Sequence, residues 1–422
     1  MSSQPETLPL LENHRPRASN FRSRLLARIK AEGEPSWTQS INFYLFSGWM
    51  NILLVFVPLG AICHYLDWDA GLRFGFSFIA IMPLAKLLGD ATEQLSIKLG
   101  PTLGGLLNAS FGNAVEIIVG ITALLQDELR IVQTSMLGSI LSNLLLVLGM
   151  SFLAAGLKQD QSYFRKTAAQ TSASLMSLAC ITLIIPAAYH AVKSAEGLES
   201  IDFILKDGSP RPGDPGYSGL LVISRGTSLL LLGVYVAYLI FQLKTHASLF
   251  LPEPESERGQ PEVEEEHEVA QMNMVSAGVS LLVVTIVTSF CADWLVASIE
   301  ETANKYSIPK PFIGLILIPL VANAAEHVTS VWMAMKGKME LTIGISVGSS
   351  IQIATFVVPL LVIIGWIIHR DLTLFFAHFE TVSLFVSVFL VNLLIQDGKS
   401  NYMEGLMLVT LYIVIALAFS VL

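Results

Sequence analysis

The sequence predicts an all-α polytopic membrane protein with about 11 transmembrane helices: one extra N-terminal helix, then two inverted five-helix repeats. Three observations predict it. Hydrophobic residues make up 53% of the 422 and charged residues only 14%, with a mean hydropathy of +0.62, whereas a water-soluble chain carries roughly 25% charged residues. Apolar stretches recur along the chain, each long enough to cross ~30 Å of hydrocarbon as a helix. A polar motif embedded in apolar sequence occurs twice, 210 residues apart.

Taken in order, residues 1–40 read as a disordered cytosolic tail. They are polar, carry Arg15, Arg17, Arg22, Arg24, Arg28 and Lys30, and lack the apolar core of a secretory signal. Glu6, Glu12, Glu32 and Glu34 argue against a basic targeting presequence. The positive-inside rule puts this end in the cytosol. Residues 41–70 hold the extra first transmembrane helix, apolar near 42–64. The first five-helix repeat, 71–248, has apolar segments near 72–97, 103–126, 131–157, 167–192 and 217–246. The stretch from Lys193 to Gly216 is rich in Pro and Gly and reads as a non-cytosolic loop.

Residues 249–270 form an acidic cytosolic loop or helix. Glu262, Glu264, Glu265, Glu266 and Glu268 either solvate a linker or concentrate cations near a pore mouth. The second case acts only locally, over a Debye length of ~8 Å. The second repeat, 271–422, has segments near 272–302, 309–335, 340–368, 371–396 and 402–422. This threading puts Lys158, Arg165, Lys166, Lys336, Lys338 and Lys399 on the cytosolic side, but Lys305 and Lys310 on the other. Cys63, Cys180 and Cys291 show no metal spacing and read as packing residues. His64, His190, His369 and His378 show no ligand spacing either. Nothing in the charge pattern points to nucleic acid, and no nucleophile–base pair points to an enzyme.

The repeat carries the topology. A shift of 210 residues aligns Thr92 with Thr302, Gly104 with Gly314, Asn113 with Asn323, Glu116 with Glu326, Gly138 with Gly348 and Ser139 with Ser349, and it sets Asp90 against Glu300. The motifs fall on the third and eighth segments. An odd number of crossings separates them, so equivalent helices run in opposite directions. Such inverted repeats set a substrate site near the bilayer midplane, where the two copies of a motif meet.

The residue types suggest what binds there. Gly112 and Asn113 in one copy, and Pro319 and Asn323 in the other, interrupt a helix. A break at membrane depth is tolerated where it lines a cavity, and there it offers backbone and amide oxygens. A lone ionised glutamate at the bilayer centre costs about 3 kcal/mol. Two of them facing each other also repel, and either protons or a divalent cation relieves that repulsion. Oxygen ligands in number suit Ca²⁺, which takes about 6–8 of them. The expected shell is Glu116, Glu326, Asn113, Asn323, Ser139, Asn143, Ser349 and Gln352. For the small polar members, holding helices together is the competing role. His327, Asp90 and Glu300 are secondary candidates for a proton or ion path.

Gly112-Asn113-Ala114-Val115-Glu116 and Ala322-Asn323-Ala324-Ala325-Glu326-His327 are followed by Gly138-Ser139-Ile140-Leu141-Ser142-Asn143 and Gly348-Ser349-Ser350-Ile351-Gln352-Ile353. Together they resemble the cation/proton exchanger family of the Ca²⁺/cation antiporter superfamily, in its fungal vacuolar Ca²⁺/H⁺ form, from about Phe43 to Leu422. Val115 and Ala325 stand where the related sodium/calcium exchangers typically carry Pro, and Ala322 where Gly is common. The resemblance implies that Glu116 and Glu326 bind Ca²⁺ and H⁺ alternately. It also implies a multi-pass protein of an acidic organelle, the vacuole, and access switched by sliding of the long second and seventh segments.

The function expected is antiport of Ca²⁺ out of the cytosol in exchange for H⁺, with no cofactor beyond the transported ions. The alternatives are an exchanger for Mn²⁺ or a monovalent cation, or a Ca²⁺ channel or sensor without proton coupling. The sequence leaves oligomeric state open.

Overall fold

The computed structural model describes residues 35–196, 213–214, 216–249 and 270–421; the acidic stretch with Glu262, Glu264, Glu265, Glu266 and Glu268 lies outside them. Eight of the described helices are long and apolar enough to cross a membrane, and three bent pairs bring the number to 11. In chain order the spans are Trp37–Phe46 with Trp49–Tyr65, Ala70–Leu99, Leu103–Phe111 with Ala114–Leu125, Leu129–Gly156, Lys166–Lys193 and Tyr217–Thr245. They continue with Met274–Tyr306, Lys310–Ala322 with Ala324–Met335, Met339–Ile367, His378–Ile395 and Tyr402–Val421.

Side-chain contacts between connections fit one up-and-down threading. On the face where the first span begins, Asn273 N–H donates to Ser40 Oγ at 3.1 Å, Gln271 N–H to Gln94 Oε1 at 2.7 Å and Lys158 Nζ to the Met335 carbonyl at 3.3 Å. Ser162–Tyr163 pairs antiparallel with Lys399–Ser400 on the same face. The opposite, distal face holds most of the described ion pairs. On that face Lys305 pairs with Asp69, and Lys310 with Glu128 and Glu300. Their charges are neutralised locally.

Two stretches differ from the straight helices expected. The first span turns by 87° at Ser47–Gly48, where Gly48 adopts an extended conformation. Between the ninth and tenth spans, Leu372–Phe376 is buried without helical structure. Its backbone is satisfied from side chains instead: Leu374 N–H donates to Ser224 Oγ at 3.0 Å, and Gln133 Nε2 to the Thr373 carbonyl at 3.0 Å.

The breaks in the third and eighth spans fall where the sequence places them. Asn113 (φ −109°, ψ 35°) and Asn323 (φ −87°, ψ 11°) leave helical geometry, and the chain bends by 43° and 56°. The fourth and ninth spans, which pack beside these breaks, each contain a widened π-type turn, Ser142–Val147 and Ile353–Val357. The two turns end at repeat-equivalent residues. Such turns insert a residue into a helix and re-aim the side chains beyond it.

Candidate cation site

Each glutamate sits in the first turn of the half-helix that restarts after its broken asparagine: Glu116 in Ala114–Leu125, Glu326 in Ala324–Met335. A helix N-terminus favours a carboxylate by about 0.3–1 kcal/mol, up to ~2 kcal/mol when partly buried. That falls short of the ~3 kcal/mol cost of ionisation at membrane depth. The geometry therefore leaves charge for a proton or a cation to balance.

Glu116 and Glu326 both line one cavity of about 660 Å³. Glu116 is 3% exposed. The asparagines brace the site across the repeat boundary. Asn113 Nδ2 donates to Gln352 Oε1 at 2.7 Å, and Asn323 Nδ2 to the Ser139 carbonyl at 3.3 Å. Each amide therefore spends its N–H on the opposite repeat and keeps its oxygen free. Asn113 Oδ1, Asn323 Oδ1, Glu116 Oε1 and Glu326 Oε2 are all buried without a hydrogen-bond partner. Buried acceptors are nearly always paired. Four orphaned oxygens, two from each motif copy, fit a hard cation bound by oxygen. No cluster of three or more His, Cys, Asp or Glu occurs among the described residues, so the set depends on amide and backbone oxygens as well.

Ser349 and Gln352 also line the cavity. Asn113, Asn323, Ser139 and Asn143 are buried but are not among the residues lining the cavity. Ser139 contributes its carbonyl to Asn323, and both side-chain atoms of Asn143 lack partners in the widened turn of the fourth span. His327, next to Glu326, is not among the residues lining the cavity, and its Nε2 is buried without a partner. Asp90 lines the cavity, paired with Lys86, whereas Glu300 lies at the distal face, 3.4 Å from Lys310. Inversion of the repeat explains that separation: equivalent residues near helix ends come out on opposite faces. Sequence reasoning did not single out Lys86, Thr329 or Glu340, which also line the cavity. Of these, only Lys86 left a signal, its i,i+4 spacing from Asp90.

The cavity opens between the ends of spans two, five, six, eight and nine, on the face where the first span begins. At the distal face, polar pairs link neighbouring spans. Arg130 Nη2 holds the buried Glu380 at 2.6 Å, Arg370 holds Asp127 at 2.9 Å and Gln126 Nε2 holds Asp293 Oδ1 at 2.8 Å.

The profile of the sodium/calcium exchanger protein family matches residues 70–244 and 276–421. The chain belongs to that family. Within it, the chain groups with the cation/proton exchangers that its motifs resemble. A vacuolar calcium ion transporter of Schizosaccharomyces pombe is 48% identical over 375 residues, covering 89% of this chain and 85% of that protein. Vacuolar cation/proton exchanger 3 of Oryza sativa subsp. japonica is 38% identical over 415 residues, covering 98% and 94%. Among solved structures, the Ca²⁺/H⁺ antiporter protein YfkE is similar with a TM-score of 0.71 at 32% identity, covering 88% of this family member and 99% of that chain.

Proposed function

We propose that this protein is a secondary antiporter that moves Ca²⁺ out of the cytosol into an acidic organelle, the vacuole, in exchange for H⁺. The observation that carries this reading is the pairing of Glu116 with Glu326 on one cavity, with four unpartnered oxygens contributed equally by the two motif copies. The names of the yeast and rice relatives support the ion, the coupling and the compartment.

With the N-terminus cytosolic, the open cavity faces the cytosol. Ca²⁺ enters and is held by Glu116 and Glu326 as carboxylates, helped by the oxygens of Asn113 and Asn323. The two charges of the ion cancel those of the pair, so the filled site crosses the low-dielectric interior cheaply. Once the site opens to the acidic side, protons take the carboxylates and Ca²⁺ leaves. The protonated pair is again neutral and returns. The empty, doubly charged site is the one form that is costly to carry across, and that cost couples the two flows.

The test is uptake of labelled Ca²⁺ into proteoliposomes with an acid interior. Glu116→Gln or Glu326→Gln is expected to abolish proton-driven uptake while the purified protein keeps its elution profile. Uptake at the wild-type rate in either variant would overturn the assignment of the site. Competition by Mn²⁺, Na⁺ and K⁺ in the same vesicles sets the ion selectivity.

A further inference from the structure

Lys86 and Asp90 stand one helical turn apart on the second span and form an ion pair whose side chains are 22% and 25% exposed. Both line the cation cavity. The bend of the first span closes over them. Gly48 comes so near that a Cβ there would lie 2.7 Å from Lys86 Cε. The Tyr44 hydroxyl donates to the Leu87 carbonyl at 2.9 Å, and Met50 forms part of the cavity wall. The extra N-terminal span therefore packs against the lysine. A fixed ammonium inside a route for cations is costly to place and repels the cargo, so it calls for a physical reason. The other repeat repeats the arrangement: Glu300, the counterpart of Asp90, has Lys310 at 3.4 Å on the distal face. The two lysines come from different sequence positions, yet each neutralises the carboxylate that inversion sets at its face.

We infer that Lys86 is a positioning residue for transport: by holding Asp90, it keeps that carboxylate from retaining Ca²⁺ on the way to Glu116 and Glu326. The inference rests on the antiport reading given above. With Lys86 in place, the second span offers the entering ion no free carboxylate at Asp90. The ion then passes to the paired glutamates, whose charge alternates with protonation. Without Lys86, Asp90 becomes a second, ungated cation site.

Initial rates of Ca²⁺ uptake into acid-loaded proteoliposomes, measured across a range of Ca²⁺ concentrations, test this. Lys86→Gln is expected to lower the half-saturating Ca²⁺ concentration by roughly fivefold, the scale of a partly exposed ion pair, and to lower the maximal rate. Asp90→Asn is expected to raise half-saturation, because the ammonium is then uncompensated. The double variant is expected to return both parameters toward wild type. A purely structural pair would change the yield of folded protein without these opposite shifts. Unchanged half-saturation in Asp90→Asn, shifts of the same sign in the two single variants, or no recovery in the double variant would each overturn the inference. The Asp90→Asn arm decides even if Lys86→Gln fails to fold. Absence of proton-driven uptake in the wild-type protein is a separate result, and removes the antiport reading together with this inference.

Discussion

The fourth span lies directly on the first half of the eighth: a Cβ added at Gly138 would fall 2.1 Å from the Leu315 carbonyl oxygen. The repeat-equivalent contact, between the ninth span and the first half of the third, is open. Gly348 has nothing within 4 Å of its would-be Cβ, and Gly105, the counterpart of Leu315, faces Leu243 of the sixth span instead. Two copies of one sequence pattern thus make one tight interface and one gap. Ser349, next to Gly348, lines the cavity on the N-terminal face. The difference shows that the two copies of the pattern pack differently on the two faces.

The distal side is where substitutions should weaken the fold most. Glu380 is buried, with a side chain 2% exposed against 28% for its partner Arg130, so Arg130→Met leaves a buried carboxylate without its counter-charge. The expected loss is ~3–5 kcal/mol, seen as a lower unfolding temperature of the detergent-solubilised protein. An unchanged temperature would mean that Glu380 finds another partner there.

The paired glycines sharpen the comparison at intermediate size. Gly138→Ala forces a methyl group into a backbone carbonyl and is expected to cost about 1–3 kcal/mol. Gly348→Ala meets open space within a helix and should be neutral, or stabilise by up to ~1 kcal/mol. Equal effects of the two substitutions in thermal unfolding would contradict the difference between the two interfaces.

The smallest effect concerns acid at the distal face. Hydrogen bonds from Lys305 and Tyr306 hold the Asp69 carboxyl down at about 2. Its unfolded value is near ~3.9. A depressed folded value means that its contribution is fully present above pH ~4 and is lost as pH falls toward 2. The clamp between the start of the second span and the end of the seventh therefore survives mild acid. The difference in unfolding temperature between wild type and Asp69→Asn should be constant from pH 7 to pH 5 and vanish near pH 2. A difference that disappears already at pH 5 would show that the clamp opens in mild acid.

Much of this was legible along the chain because membrane burial imposes one-dimensional rules. Apolar length fixed the spans, and the residues that break helices in Gly112-Asn113 and Pro319–Asn323 marked where they fail. Other features left no such trace. The turn at Ser47–Gly48 and the buried irregular stretch Leu372–Phe376 depend on hydrogen bonds from distant spans. The widened turns of the fourth and ninth spans likewise have no marker in the local sequence. Lys86 looked like an ordinary helix residue until the first span folded over it.

By itself the sequence determined the membrane class, the inverted repeat and the pair of glutamates, since hydrophobic length, helix-breaking residues and a 210-residue periodicity are local or additive properties. Only the tertiary structure decided which face is open, which oxygens are left without partners and which carboxylates are neutralised by lysine. Those depend on how two nearly equivalent halves lean on each other.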